Sequence, residues 1–233
     1  MKDILTAGIA ALGIHVEDDC AETLTRFGAL LLAKNEVMNL TAITEPDKVA
    51  TLHFLDSLAL LRAVDLSEKK VVDVGTGAGF PGMPLRIAKR DFDLTLLDSL
   101  GKRVDFLREC CDTLHLARTS CVHARAEEFA AQNRESFDVA TSRAVASLNV
   151  LSELCLPLVR VGGVFAAMKS VDSDEEIESA RRAIEQLGGN LARVEDYAIP
   201  CCDVSHRLVV IEKVRPTPAK YPRAFAKIKK QPL

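Results

Sequence analysis

The sequence predicts an α/β fold, in which a mainly parallel sheet carries helices on both faces and a small helical cap precedes it. Short β-branched runs alternate with segments of helical period from residue 70 onward, which is the pattern of parallel strands joined by crossover helices. The residues before 70 show only the helical period. A glycine-rich loop follows the first β-branched run, and sheets of this kind bind ligands at the ends of their strands.

The first 68 residues are predicted to form the helical cap. Leu24, Phe27 and Leu31 recur at helical spacing, which is typical of a helix with one apolar face. Glu45-Pro46-Asp47 indicates another helix start, because the first turn accepts proline and its dipole favours acidic side chains. The domain boundaries predicted from these patterns are 1–68 for the cap, 69–214 for the sheet domain and 215–233 for a C-terminal tail.

Seven segments are predicted as strands. They are 70–74, 93–98, 120–123, 137–141, 164–169, 191–199 and 208–214. The segments 102–116 and 174–187 have the helical period expected of crossover helices. The last two strands flank residues 201–205, so we expect an antiparallel pair at the sheet edge. The end of the fourth strand is placed at Ser142-Arg143-Ala144.

The charge of the chain is unevenly distributed around a formal net value of −3. Residues 213–233 hold seven basic and no acidic side chains, whereas the rest of the chain is weakly acidic. Such a segment can neutralise phosphates and release counterions, or it can be a disordered, solubilising end. Its prolines at 216, 218 and 222 predict an extended rather than a helical tail.

Composition excludes several other classes of protein. No apolar run reaches the length of a membrane span, and the first residues lack the pattern of a secretion signal. The seven cysteines form no C-x-x-C pair, which favours reduced thiols and argues against a metal site. We therefore expect a cytoplasmic monomer without a metal.

The glycine loop admits two interpretations. Residues 77–82 have the GxGxxG spacing of a dinucleotide loop, but the segment from Asp73 also reads as an acidic residue followed by GxGxG at Gly75, Gly77 and Gly79. A carboxylate beside the loop would repel a pyrophosphate, whereas it suits the ammonium and sulfonium groups of S-adenosylmethionine. The loop therefore favours a class I S-adenosylmethionine-dependent methyltransferase, and an NAD-dependent oxidoreductase stays open.

Polar side chains at the ends of later strands extend this predicted site. Asp98 ends the second strand, where a carboxylate can accept hydrogen bonds from ribose hydroxyls or can cap the next helix. Ala126 and Glu127 follow the third strand, in a loop that lies beside the adenine in a methyltransferase fold; Glu127 can also simply start a helix. Arg143 ends the fourth strand, facing the ligand crevice or making a surface ion pair.

Several blocks of sequence together resemble one known family. The blocks are NLTAI from Asn39, HFLDSL from His53, DVGTGAGFPGMPL from Asp73, LLDSLGKRVDFL from Leu96, RAEE from Arg125, SRAVASL from Ser142 and YPR near the C-terminus. They resemble the bacterial 16S ribosomal RNA guanine-N7 methyltransferase G family, from about residue 34 to the C-terminus. The chain departs from common family residues at Lys34, Ser170 and Ala226, none of which is a cofactor position.

The resemblance implies the activity and the cofactor contacts. It implies methyl transfer from S-adenosylmethionine to N7 of one guanine in 16S ribosomal RNA, on the small ribosomal subunit. It also implies cofactor contacts at Gly75, Phe80, Ala126, Glu127 and Arg143, and it places Asp98 at the ribose. With the loop residues, the predicted cofactor set is Asp73, Gly75, Gly77, Gly79, Phe80, Asp98, Ala126, Glu127 and Arg143.

Guanine N7 carries an in-plane lone pair in the neutral base, so this transfer needs no general base and relies on positioning. Arg143 and Lys169 are candidates to orient the guanine through O6, since a donor on N7 would block the attack. His53 and Asp56 share a helix face. They can contact RNA, or they can join the cap to the sheet. The predicted RNA contacts are Asn39, Thr41, His53, Arg215, Lys220, Arg223, Lys227, Lys229 and Lys230.

Three other functions stay open from the sequence alone. A methyltransferase of this fold can act on a small molecule or a protein, although the basic tail and the NLTAI block count against both. A nicotinamide-dependent oxidoreductase would use the same loop for a dinucleotide. A non-catalytic ribosome-binding protein would have no need for an intact cofactor pocket.

Overall fold

The computed structural model describes residues 1–143 and 146–233. In those residues seven strands form one sheet, in the order β3-β2-β1-β4-β5-β7-β6. The strands are β1 Lys70–Val74, β2 Asp93–Asp98, β3 Thr119–His123, β4 Phe137–Arg143, β5 Val159–Ser170, β6 Gly189–Ala198 and β7 Ser205–Lys213. Strands β1 to β5 pair in parallel, and β7 runs antiparallel to β5 and β6. The predicted mainly parallel sheet and its antiparallel edge pair are confirmed.

The N-terminal region is helical up to the first strand. Its elements are α1 Lys2–Leu12, α2 Cys20–Met38, α3 Pro46–Val49, a π-helical stretch Ala50–Leu55, α4 Asp56–Leu58 and a 3-10 turn Ala59–Arg62. The helix start predicted at Glu45-Pro46-Asp47 is present, with Pro46 in the first turn. The wider π-helical turns were not predicted, and such turns are frequent at functional sites.

The remaining helices follow the strands and cover both faces of the sheet. They are α5 Gly82–Ala88, α6 Gly101–Thr113, α7 Ala126–Gln132, α8 Leu148–Cys155, α9 Asp174–Gln186 and α10 Phe225–Lys230. Neighbouring residues of β1 enter different cores, because side chains alternate across a strand. Val71 packs in a cluster with Phe27 and Phe54 of the cap. Val72 packs in a second cluster with Leu151 of α8.

The bounds of the strands differ from the prediction mainly in the middle of the sheet. Strand β5 begins at Val159 rather than at residue 164, because Val159 pairs with Phe137 across a register shift in β4. Strand β4 ends at Arg143. Ala144, at the predicted strand end, lies outside the described residues.

The prediction of an extended tail is wrong for its final part, since Phe225–Lys230 form helix α10. Pro216, Pro218 and Pro222 precede this segment and Pro232 follows it, so no proline interrupts the helix. Burial of Ile228 and Tyr221 holds the tail on the body, in the cluster that contains Leu151 and Leu154 of α8. The tail therefore packs back on the sheet domain.

The structure also bears on a membrane span, a metal site and the state of the cysteines. Across residues 1–143 and 146–233, no helix is long and apolar enough to cross a membrane. In the same residues no group of three or more His, Cys, Asp or Glu side chains could hold a metal ion. All seven cysteines are free thiols.

Candidate active site

The glycine loop lies at the carboxyl end of β1 and leads into α5. Gly75, Gly77 and Gly79 have φ values of 70°, 60° and 102°, in the left-handed region that glycine adopts without strain. The backbone N–H of Gly75 donates to the carbonyl of Leu97 at 2.8 Å, which ties the loop to the end of β2. A Cβ atom at Gly79 would lie 2.6 Å from the Met83 side chain. The loop is therefore closed tightly against α5.

Asp73 anchors the glycine loop through hydrogen bonds to its two ends. Its buried Oδ2 accepts hydrogen bonds from the Thr76 hydroxyl at 2.6 Å and from the N–H of Gly82, the first residue of α5, at 2.8 Å. In dinucleotide folds the helix N-terminus after this loop binds the pyrophosphate. Here a carboxylate occupies that position, so the loop is unsuited to a pyrophosphate. The prediction had placed Asp73 beside the cofactor, whereas in the structure it does not line the cleft.

Two adjoining clefts open along the carboxyl edge of the sheet. The larger, of about 390 Å³, is lined by Leu40, Thr41, His53, Gly75, Thr76, Gly77, Ala78, Phe80, Asp98, Ser99, Arg103 and Arg143. The smaller, of about 120 Å³, is lined by Val74, Gly75, Leu97, Asp98, Ser99, Ala124, Arg125, Ala126, Glu127, Leu154 and Phe225. Gly75, Asp98 and Ser99 line both clefts. The structure thus brings most of the predicted cofactor residues to one continuous groove.

Asp98 stands at the junction of these clefts. Its Oδ2 accepts the N–H of Gly77 and its Oδ1 the N–H of Leu100, both at 2.9 Å. Each carboxylate oxygen can accept a further hydrogen bond, so the buried group can still receive a pair of vicinal hydroxyls. The capping alternative is not what the structure shows, because Leu100 is the residue before α6 and no side chain among the described residues caps that helix.

The smaller cleft has the character of a purine slot. Its walls include the apolar side chains of Val74, Leu97, Leu154 and Phe225, and helix α7 begins beside it at Ala126. Phe225 comes from the tail helix α10, and sequence reasoning did not select it. An apolar slot with a few placed polar groups is typical of a cofactor site.

The residues present fit S-adenosylmethionine. The slot is apolar, a carboxylate stands where a ribose would present its hydroxyls, and the loop leaves no site for a phosphate. Oδ1 of Asp73 is buried and has no hydrogen-bond partner among the described residues. This uncompensated negative atom favours a cationic ligand over an anionic one.

A stacked group closes the far end of the larger cleft. The His53 ring lies 4.4 Å from the Phe80 ring, between centroids, and the Arg143 guanidinium lies 4.8 Å over the same Phe80 ring. Arg143 donates to Nδ1 of His53 at 3.1 Å and to Asp56 at 2.8 Å. Nε2 of His53 therefore carries the proton and donates to the Thr41 hydroxyl at 2.8 Å. These contacts join the cap to the sheet.

The charges in this group are fixed by their surroundings. Burial and the nearby Arg143 cation lower the pKa of His53 to about 4, so its ring is neutral at neutral pH. Burial raises the pKa of Asp56, but the hydrogen bond from His206 and the charge of Arg143 outweigh it and leave a lowered pKa. Asp56 is thus a buried anion that holds Arg143 and His206 in place.

A further cavity of about 670 Å³ lies on the other side of this group. It is lined by Leu52, His53, Asp56, Arg143, Ala146, Ser147, Met168, Lys169, Ser170, Glu176 and His206. We call it the second cavity. His53 and Arg143 line both the second cavity and the cofactor cleft. The site therefore has two compartments with a shared wall.

Comparison with known proteins identifies the family. The rRNA small subunit methyltransferase G (GidB) family model matches residues 20–208. A protein named Ribosomal RNA small subunit methyltransferase G from Alkaliphilus metalliredigens is 47% identical over 235 residues, covering 100% of this chain and 98% of the relative. This chain belongs to the methyltransferase G family. The relative of that name in Clostridium perfringens strain 13 is 41% identical over 234 residues, covering 99% of this chain and 98% of the relative.

Solved structures show the same fold at low sequence identity. The structure of M. jannaschii TYW2 in complex with AdoMet has a TM-score of 0.54 at 15% identity, and the match covers 68% of this chain and 75% of TYW2. TrmN from Thermus thermophilus has a TM-score of 0.54 at 20% identity, and the match covers 68% of this chain and 48% of TrmN. This member of the methyltransferase G family is a class I, S-adenosylmethionine-dependent methyltransferase.

The predicted RNA contacts of this methyltransferase G protein lie in two places. Asn39 ends α2 in the left-handed conformation and is exposed, and Thr41 and His53 line the cofactor cleft. In the tail, the exposed cations are Arg215, Lys220, Lys227, Lys229 and Lys230. Arg223 differs from them, because it forms an ion pair with the buried Glu153. Arg223 is therefore not available to a phosphate in this structure.

Asp73 makes the stability of the protein depend on pH. Burial, opposed by the bonds from Thr76 and Gly82, raises its pKa from 3.8 to about 6. As the pH rises from about 4 to about 6, the carboxyl ionises first in the unfolded chain, which destabilises the fold by up to about 3 kcal/mol. The variant D73N cannot ionise. The free energy of unfolding, measured in urea, should therefore rise in D73N relative to the wild type as the pH goes from about 4 to about 6. Above about pH 6 the difference between the two proteins should be constant.

The exposed Asp105 offers the matched control. D105N should follow the wild-type pH dependence, because Asp105 is exposed and pairs only with Arg108 at the surface. Parallel curves for D73N and the wild type would contradict a raised pKa at Asp73.

Proposed function

We propose that this protein transfers a methyl group from S-adenosylmethionine to N7 of a guanine in 16S ribosomal RNA, as a monomer in the cytoplasm. The observation that carries the proposal is the wall shared by the cofactor cleft and the second cavity. At this wall His53 is neutral with both ring nitrogens engaged, and Arg143 is a cation. Among the described residues the wall itself therefore offers positioning groups and no free general base, while Glu176 and His206 lie elsewhere on the second cavity.

This arrangement suits a nucleophile that needs no deprotonation. S-adenosylmethionine, when bound, supplies an electrophilic methyl group on a sulfonium. Guanine N7 can attack in its neutral form, whereas an exocyclic amine or a pyrimidine carbon would call for a base or a thiol. No cysteine lines either compartment among the described residues. The chemistry of the shared wall thus supports a ring-nitrogen acceptor.

Each group at the site then has a positioning task. Asp98 and the loop from Gly75 hold the cofactor, while Arg143 and Lys169 orient the base on the other side of the wall. Holding two reactants in the productive arrangement can supply roughly 7–11 kcal/mol of rate acceleration. We place the phosphate backbone of the RNA on the exposed tail cations. These contacts position the RNA and do not select its sequence.

A transfer assay tests the proposal. Protein and [methyl-³H]S-adenosylmethionine are incubated with small subunits, with protein-free 16S ribosomal RNA, with large subunits and with transfer RNA. We expect label in 16S ribosomal RNA, in the free or the assembled form, and none in the other RNAs. Label only in other substrates, or binding of NADH instead of S-adenosylmethionine in calorimetry, would overturn it.

A further inference from the structure

The second cavity has polar side chains on two walls, and of these only Lys169 has a role in orienting the base. One wall carries Lys169 from β5 and Glu176 from α9, and the other carries His206 from β7. In the sheet, His206 lies opposite Ser170 at the end of β5. Both walls therefore meet where the ends of two paired strands open into the cavity.

The Glu176 carboxylate is half engaged. Its Oε1 lies 2.6 Å from Nζ of Lys169 and also accepts the N–H of Leu148. Oε2 has no hydrogen-bond partner among the described residues, and Glu176 lines the cavity. Lys169 uses a second N–H on the carbonyl of Ala146 at 2.6 Å. An ammonium has three N–H bonds, so a donor and an acceptor remain side by side.

His206 is held in one tautomer. Its Nδ1 lies 2.8 Å from Oδ1 of Asp56, which also accepts the hydroxyl of Tyr197 at 2.7 Å. Because Asp56 is an anion, Nδ1 carries the proton and a neutral ring keeps a lone pair on Nε2. Nε2 has no protein partner among the described residues, and the His206 side chain is 32% exposed. The ring thus offers the cavity an oriented acceptor.

These groups are complementary to one edge of guanine. Along its Watson–Crick edge guanine presents the O6 acceptor next to the N1–H and N2–H donors, whereas adenine presents a donor next to an acceptor. We propose that Glu176 and His206 accept the N1–H and N2–H groups of the target guanine while Lys169 donates to O6. This inference rests on the proposed function and explains why a guanine, with its N7 left unbonded, enters the second cavity.

The same contacts favour the transition state. Methyl transfer places positive charge on the base, and a carboxylate at N1–H or N2–H interacts more strongly with the charged product than with the neutral base. Glu176 should therefore act on kcat as well as on KM for RNA. Asp56 acts through His206 and is a positioning residue.

The test compares single-turnover methyl transfer to small subunits or 16S ribosomal RNA, whichever the wild type methylates. E176Q keeps an oxygen for Lys169 and Leu148 but turns an amide N–H₂ toward the base, so we expect kcat/KM to fall by about ten- to a hundredfold. H206N keeps a donor near Asp56 and removes the acceptor at Nε2; H206Q restores a group that reaches the cavity. We expect transfer to fall in H206N and to recover in part in H206Q.

Two controls separate a contact with RNA from a structural effect. E178Q makes the same chemical change on the same helix at a side chain that is 72% exposed, and it should match the wild type. Affinity for S-adenosylmethionine should be unchanged in E176Q, because Glu176 does not line the cofactor cleft. The unfolding midpoint should stay close to that of the wild type, because the amide oxygen can still accept from Lys169 and Leu148.

Each outcome bears on the inference. A wild type that methylates 16S ribosomal RNA together with an unimpaired E176Q and H206N would overturn the inference and leave the proposed function standing. An E176Q that loses stability or cofactor affinity along with transfer would also overturn it, in favour of a structural role. A wild type that transfers nothing to 16S ribosomal RNA would overturn both.

Discussion

Replacing Arg223 by methionine should lower the free energy of unfolding by about 3–5 kcal/mol. Glu153 of α8 is fully buried, and its carboxylate accepts the backbone N–H of Arg223 at 2.9 Å and the side-chain Nε at 2.8 Å. The methionine variant would leave a buried anion without its cation, which is the costly way to break such a pair. Urea unfolding at neutral pH measures the loss.

A matched change elsewhere in the tail isolates the pair. Lys229 is exposed, so K229M removes the same charge and should change stability by no more than about 0.5 kcal/mol. The double variant E153L/R223M should recover much of the stability, because neither charge is then left buried. Equal stability of R223M and K229M would contradict the role given to the ion pair.

The variant D98N should weaken binding of S-adenosylmethionine by about ten- to a hundredfold or more, since hydrogen bonds to a charged group contribute about 1.5–3 kcal/mol. The amide also turns an N–H₂ group toward the N–H of either Gly77 or Leu100, so the loop loses one anchor. Calorimetric titration with S-adenosylmethionine measures the change.

Asp105 again provides the control for this variant. It lies on α6, its side chain is 66% exposed and it pairs only with Arg108 at the surface. D105N should bind S-adenosylmethionine as the wild type does. If D98N kept the wild-type affinity, the carboxylate would have no part in holding the cofactor.

The sheet and the cofactor cleft could be predicted from the sequence because short, contiguous sequence patterns mark them. The bounds of β1 and β2 match the prediction, since each begins at an exposed polar residue and continues as a mostly buried run. Gly75 directly follows β1, Asp98 ends β2, and Ala126 lies shortly after the end of β3. In a parallel sheet all such ends meet at one edge, so chain position alone places these residues together.

Other parts of the site depend on contacts across the chain. His206 meets Asp56 and Arg223 meets Glu153 only after folding, and no local pattern marks either partner. The charge of Arg223 is indistinguishable in sequence from that of Lys229, although one side chain is paired internally and the other is exposed. The sequence therefore predicted too many tail cations as RNA contacts, because Arg223 is paired internally. It also gave no signal for His206 and Glu176.

The identity of the methylated atom tests the central claim most directly. Small-subunit RNA that has received [methyl-³H] groups from S-adenosylmethionine is digested to nucleosides and separated by chromatography. We expect the label to co-migrate with 7-methylguanosine and to map to one guanine of 16S ribosomal RNA. Label in a methylated adenosine, a methylated pyrimidine or an N2-methylguanosine would contradict it.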